Sequence, residues 1–283
     1  MDLKYFLNAK NYLKVFYKPG KIIPVLRTYL YAYYDGKYDV KFKDVPDKDI
    51  ISIYKNSLHA LGRITNKMTE SSLQVQSIED VFGPDLEQAE ECVELKKLFT
   101  TYGSDKATTH DYYLIYYALL KGKRKEPLKL LEIGLGTNNI DVLSNMGRYG
   151  KPGASLRGFR DYLEKANIYG ADVDKRVLFE EERIDTFFID QTDLQVLESV
   201  KKNFGNNRFD LIIDDGLHNS EANLNTLDFA LDLLSNKGIF VIEDVNVADF
   251  EYYKIVFNSL KGQYKMSFVK TKAACVFLVT HLV

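Results

Sequence analysis

The 283 residues are 46% hydrophobic and 28% charged, with a formal net charge of −2. That balance suits a soluble globular chain of one large domain, or one domain and a smaller one, and gives no overall pull toward nucleic acid. The two cysteines, Cys92 and Cys275, are too few for a disulfide framework and suit a reducing compartment; no apolar run reaches the roughly 18 residues that span a bilayer, and no signal peptide pattern opens the chain, so it reads as cytoplasmic.

Residues 1–43 hold nine Lys and Arg against three Asp, together with eleven Tyr and Phe. Leu3, Phe6, Leu7, Leu13, Phe16 and Tyr17 recur at roughly helical spacing, and Pro19-Gly20 stops that helix. A second apolar run over 22–34 can begin a helix near Pro24. Basic residues among aromatics can meet an anionic lipid surface. The plainer and preferred reading is a helical arm packed on the rest of the chain or on a second subunit of a homo-oligomer. Ile50, Ile51, Tyr54, Leu58, Leu61 and Ile64 make one apolar stripe, which predicts a helix over 47–66. Polar residues 67–85 read as a linker, and 87–99 as a further helix. The spacing divides the chain into a helical region, 1–95, and a main domain, 96–283.

Tyr102-Gly-Ser-Asp-Lys-Ala-Thr-Thr-His-Asp-Tyr112 is a polar cluster ahead of a helix carrying Tyr112, Tyr116 and Leu119. Ser104 or Thr109 can cap that helix. Alternatively the loop closes over a small polar ligand, with Ser104 and Lys106 meeting its carboxylate.

From residue 128 strands alternate with helices. Strands are expected at 129–133, 167–173, 186–189, 209–213, 238–242, 265–269 and 274–280, and helices at 155–166, 194–204, 220–234 and 248–260. Such alternation means parallel pairing through right-handed crossovers. Only Thr271-Lys272-Ala273 separates the last two strands, so they form an antiparallel hairpin. The expected fold class is α/β: a doubly wound, mostly parallel, seven-stranded sheet with an antiparallel C-terminal hairpin, plus the N-terminal helical region. Ligands of such sheets lie beyond the carboxyl ends of the strands.

Those ends are acidic: Glu132-Ile-Gly134, Asp172-Val-Asp174, Asp190-Gln191, Asp214-Asp215-Gly-Leu-His218 and Glu243-Asp244. Five carboxylate-bearing ends on one rim repel one another and suit a ligand bringing cations and hydroxyls. Gly134 and Gly136 let the chain turn and let a ligand approach the backbone. The loop lacks a full G-x-G-x-x-G, which argues against a pyrophosphate. Asp172 can accept both hydroxyls of a ribose, and Asp190 with Gln191 can meet an adenine edge, although Asp190 is also a natural helix cap.

In this order and spacing, 130–137, 170–174, 190–191, 214–218 and 241–244 resemble the motifs of class I S-adenosylmethionine-dependent methyltransferases. Tyr102–Lys106, Gly153-Ala-Ser155-Leu-Arg157, the Asp-Asp-Gly-Leu-His run and Glu243-Asp244 further resemble the metal-dependent sugar O-methyltransferases that tailor macrolide sugars. The resemblance spans about 100–283 and implies S-adenosylmethionine and Mg²⁺ as cofactors. It implies Asp215, Glu243 and Asp244 as metal ligands, His218 as the base, and Asp214 facing the methionine end of the cofactor. Carboxylate oxygens are the hard ligands Mg²⁺ prefers, and an imidazole can take a proton near neutral pH. The chain departs from that pattern in a long insertion, 138–152, and in Leu217. The acceptor expected is a sugar hydroxyl on a nucleotide sugar or surface-polysaccharide unit. An amine or phosphoramidate acceptor, or an NAD-dependent oxidoreductase, are the alternatives.

Overall fold

The computed structural model describes residues 73–246 and 249–282. The helices expected over 1–66 lie outside the described residues.

Part of the stretch read as a linker is ordered into two small elements. Val75–Ser77 is a strand, β1, and Ile78–Phe82 is a short helix, α1. Ser77 and Asp80 exchange backbone-to-side-chain hydrogen bonds at 3.0 and 3.1 Å, a capping box that satisfies two of the first free N–H groups. Helices α2 (Glu90–Tyr102) and α3 (Tyr112–Leu120) follow. The alternating half then runs β2 (Lys129–Ile133), α4 (Ala154–Tyr162), β3 (Asn167–Asp172), β4 (Glu180–Glu181), β5 (Ile184–Phe188), α5 (Leu194–Phe204), β6 (Phe209–Asp214), α6 (Ser220–Leu233), β7 (Leu234–Ile242), α7 (Phe250–Leu260), β8 (Tyr264–Lys270) and β9 (Cys275–His281).

All nine described strands join one sheet in the order β1-β8-β9-β7-β6-β2-β3-β5-β4. Pairing is parallel except where β9 meets β7 and β8, and where β4 meets β5. The sheet exceeds the seven expected strands by β1 and β4, whose three and two residues are too short to show a period.

Successive residues of the central strands enter different cores. Leu130, Leu211, Ile213 and Ile168 pack with Phe99, Tyr116 and Phe159 on one face. Leu131, Ile133, Ile212 and Phe240 pack with Leu197, Leu227 and Tyr253 on the other. Helices on both faces explain why these strands read as continuous apolar runs rather than alternating ones. Residues before 96 share the first core, since Cys92 and Leu95 on α2 are fully buried in it.

The strand order reverses at β2. The chain passes to β3 on one side and returns to β6 on the other. Ligand crevices open above the carboxyl ends at such a reversal, which is where the acidic motifs stand.

Candidate active site

The strand ends are tied together beyond the sheet. The backbone N–H of Gly134 donates to Ala171, that of Asp215 to Ile133, and that of Glu243 to Asp214, at 2.8, 2.8 and 2.9 Å. These bonds bring the motif after β2 between those after β3 and β6. Gly134 has φ 100°, and a Cβ there would stand 2.0 Å from the Asp215 carbonyl oxygen. Its missing side chain therefore serves the passage of the β6 end rather than the approach of a ligand. Gly136, at φ 77°, faces Met146 of the long insertion, whose Cε would lie 1.9 Å from an added Cβ.

Asp172 is buried, and its carboxylate accepts from the backbone N–H groups of Leu135 and Asp174, each at 2.8 Å. Burial raises its pKa, opposed by these hydrogen bonds. It therefore shapes the loop on which a ribose can lie. Asp174 is spent on Thr137, Asn139 and Arg176, and the Arg176 guanidinium foremost holds its carboxyl far below the usual range. Asp190 turns back on Thr192, accepting from its backbone and its hydroxyl.

Gln191 does not present an adenine-reading edge. Its amide nitrogen donates to Asp214 and to Thr226, both at 2.6 Å, and its oxygen accepts from the Leu217 N–H at 3.0 Å. It ties the motif after β6 to helix α6 instead. Asp214 is 1% exposed, and burial pushes its carboxyl up to about 6. Its Oδ2 is buried without a hydrogen-bond partner among the described residues, so it lacks the donor that a buried carboxylate oxygen requires. An ammonium such as the methionine end of the expected cofactor meets that need.

On the other side of the loop, Asp215, His218 and Asp244 converge. Each offers a ligand atom, and these atoms lie within 4.8 Å of one another. The His218 Nε2 stands 3.8 Å from Asp215 and 4.0 Å from Asp244. His218 and Asp244 both take left-handed backbone, φ 54° and 51°, a conformation that costs a non-glycine residue about 1 kcal/mol or more. Strain kept at two of the three converging residues marks a place where position outweighs local stability. The three side chains are between 22% and 34% exposed, and so remain open to a ligand. Two carboxylates with open flanks fit a hard divalent cation that retains water or substrate oxygens. Such an ion leaves the imidazole free, because nitrogen is not its preferred ligand.

Glu243, the third of the expected ligands, is not among these converging atoms and turns to Lys106 and Tyr116. It is 1% exposed, with one oxygen 2.6 Å from the Lys106 Nζ and the other accepting from the Tyr116 hydroxyl. Burial and the Asp215 charge raise its pKa despite Lys106. Lys106, expected to meet a ligand carboxylate, instead reaches 2.6 Å from Glu243, 2.7 Å from Asp215 and 3.1 Å from Glu132. Its burial favours the neutral amine, but the three carboxylates outweigh it and hold the ammonium form. Glu132 also accepts from Ser155 at 2.6 Å. Ser104 caps the turn that carries Lys106, its hydroxyl accepting from the Lys106 N–H at 3.4 Å; α3 itself starts at Asp111 without a side-chain cap.

Three site neighbours had no assigned role in the sequence. The Tyr112 hydroxyl donates to Asp244 at 2.7 Å, the Tyr116 hydroxyl to Glu243, and the His110 Nδ1 lies 3.6 Å from Asp244 while its ring stacks on Tyr112. The four-residue spacing of Tyr112 and Tyr116 puts both on one helical face, a signal that core packing alone also explains.

No family model matches the chain. Over 156 residues it is 30% identical to the demethylmacrocin O-methyltransferase of Streptomyces fradiae, which covers 54% of this chain and 36% of that protein. Over 154 residues it is 28% identical to the 8-demethyl-8-alpha-L-rhamnosyl tetracenomycin-C 2'-O-methyltransferase of Streptomyces olivaceus, covering 54% and 38%. The chain thus spans little more than a third of the length of these curated relatives. Among solved structures, the MycE methyltransferase of the mycinamycin biosynthetic pathway, in complex with Mg and SAH, superposes with a TM-score of 0.55 at 22% identity, covering 66% of this chain and 54% of that one. The chain therefore has the class I S-adenosylmethionine-dependent methyltransferase fold, and its sequence resembles the metal-dependent sugar O-methyltransferases of the macrolide-tailoring type.

Proposed function

We propose that the chain is an S-adenosylmethionine-dependent O-methyltransferase acting on a sugar hydroxyl with the help of Mg²⁺. The observation that carries this reading is the convergence of Asp215, His218 and Asp244 within 4.8 Å, on the rim of this fold, in a chain similar to enzymes named for sugar O-methylation. When bound, S-adenosylmethionine supplies an electrophilic methyl group, and Mg²⁺ lowers the pKa of a hydroxyl held beside it.

The residues divide the remaining work. Asp215 and Asp244 hold the ion and thereby set the position of the acceptor hydroxyl. His218 takes the hydroxyl proton at Nε2, the nitrogen that faces both carboxylates. Tyr112, donating to Asp244, fixes that carboxylate's orientation. Asp172 and the loop after β2 hold the nucleoside side, and Asp214 accepts from the methionine ammonium. Alignment of the hydroxyl behind the methyl group then supplies much of the rate, since positioning alone is worth many orders of magnitude in effective concentration.

The acceptor proposed is a sugar on a nucleotide or on a surface-polysaccharide unit. The test is incubation with methyl-labelled S-adenosylmethionine and a panel of nucleotide sugars, polysaccharide units and macrolide glycosides. Label on a sugar oxygen, abolished by EDTA and restored by Mg²⁺, is expected. Label only on nitrogen, or transfer indifferent to EDTA, contradicts the acceptor class or the metal role respectively.

A further inference from the structure

The carboxyl ends of β7 and β8 lie on one rim, because each strand pairs antiparallel with β9. Beyond the end of β8 an open cleft of about 510 Å³ is bounded by the hairpin connection, α1 and the start of α3. That volume falls in the range of small-molecule sites. Its walls carry four carboxylates, Glu79, Asp85, Glu87 and Asp111, against two ammonium groups, Lys270 and Lys272. Asp111 departs from its ordinary role. An aspartate directly before a helix commonly caps it. Here it takes left-handed backbone, φ 56° and ψ 24°, and makes no cap bond. Its side chain is instead buried in the wall of the cleft. Its one ion-pair partner among the described residues is Lys272, 3.3 Å away and 80% exposed on the connection 271–273. The Glu87 carboxylate is also fixed, accepting from the Tyr113 hydroxyl at 2.7 Å. The cleft borders the rim described above: Asp111 stands between His110 and Tyr112, which reach Asp244 at 3.6 and 2.7 Å.

We propose that this cleft is a subsite for the acceptor, holding a protonated amino group on the sugar unit next to the one that is methylated. The inference rests on the reading of the neighbouring rim as a sugar O-methyltransferase site. Three arguments set its direction. Carboxylates outnumber ammonium groups in the walls, so the cleft attracts a cation and repels a phosphate. A carboxylate as buried as Asp111 gains most from a charged donor, whose hydrogen bond is shorter and stronger than that of a neutral one. Lys272 fills that place from the solvent side, and an ion pair with so exposed a partner contributes little, so a ligand ammonium displaces it at low cost. Of the two acceptors proposed above, a surface-polysaccharide unit carrying an amino sugar suits this cleft, and the diphosphate of a nucleotide sugar does not.

The test is calorimetric binding of two probes to the full chain at mildly acidic pH: the β-1,4 disaccharide of glucosamine, whose amines are then protonated, and its di-N-acetyl form, which has the same rings without the charge. The wild type should bind the free amine about tenfold tighter or more, and Asp111→Asn should lose that preference. Equal binding of the two disaccharides, no binding of either, or a preference that survives Asp111→Asn overturns the proposal. A second measurement needs no variant: in ¹⁵N-labelled wild-type protein, the free-amine disaccharide should shift the backbone resonances of Asp111, Lys270 and Lys272. Shifts confined to other residues overturn it. Methyl transfer to sugars with no preference for an amine-bearing unit also overturns it, and leaves the reading of the rim intact. Transfer to no sugar at all, with the disaccharide still bound at the cleft, strikes that reading instead and takes the acceptor role of the cleft with it.

Discussion

His218 and Asp244 hold left-handed backbone beside Asp215, and their chemistry is open to single substitutions. His218→Ala removes the proton acceptor while leaving both carboxylates in place. Turnover should fall about 10²- to 10⁴-fold, with S-adenosylmethionine affinity by calorimetry unchanged; near-normal turnover excludes the imidazole as base. Gly134 separates steric from conformational cost. Gly134→Ala drives a Cβ into the Asp215 carbonyl and should lower stability by about 2–4 kcal/mol in denaturant melts. Gly83, at φ 90° and ψ 166°, has nothing within 4 Å of its added Cβ, so Gly83→Ala should carry only the conformational cost of that backbone region, about 1–3 kcal/mol. Equal costs would contradict the close passage of the β6 end. The converging residues were legible in the sequence because Asp215, His218 and Asp244 stand in short ordered motifs. The roles of Gln191, Lys106 and Glu243 were not, because their partners Thr226, Asp215 and Tyr116 are 35, 109 and 127 residues away in the chain.

At the scale of elements, α2 and α4 meet where a glycine gives way to a ring. The Phe99 ring lies 2.4 Å from a Cβ added at Gly158, and it meets Phe159 edge-on at 5.0 Å between centroids. Gly158→Ala should therefore cost about 1–3 kcal/mol by overpacking, even though alanine is the better helix former. A gain in melting temperature for this variant would contradict the packing described. The strands and helices of the second half were readable because their buried apolar residues recur at strand or helix spacing, as with Leu130, Leu131 and Ile133 in β2 and Leu197 and Val200 in α5. The short strand β1 was not, since it is stabilised by pairing with β8, Val75 against Phe268, and three residues carry no period of their own. The hairpin was readable from the brevity of 271–273, while its place in the sheet, with β9 against β7, follows only from the register.

At the scale of the whole molecule, the acidic strand ends lie along one rim and the thiols lie inside. Burial pushes Cys92 and Cys275 each up to about 11. Because both are raised above the unfolded value, they favour the fold up to about pH 9, and this contribution is lost as pH rises through about 11. A thiol reagent at pH 8 should label neither cysteine in native protein and both in denaturant; rapid native labelling contradicts their burial. Among the described residues no helix is long and apolar enough to cross a membrane. The crevice at the strand reversal was legible as a general rule of such sheets, whereas the division of its acids into loop-shaping, lysine-held and open groups depends on contacts between distant segments. The most direct measurement is anomalous scattering from crystals grown with Mn²⁺ and S-adenosylhomocysteine. One Mn²⁺ peak between Asp215 and Asp244, with the nucleoside over the loop beside Asp172, is the expected result. A peak elsewhere, or a nucleoside bound away from that loop, would contradict the assignment of this rim as a metal-assisted methyl-transfer site.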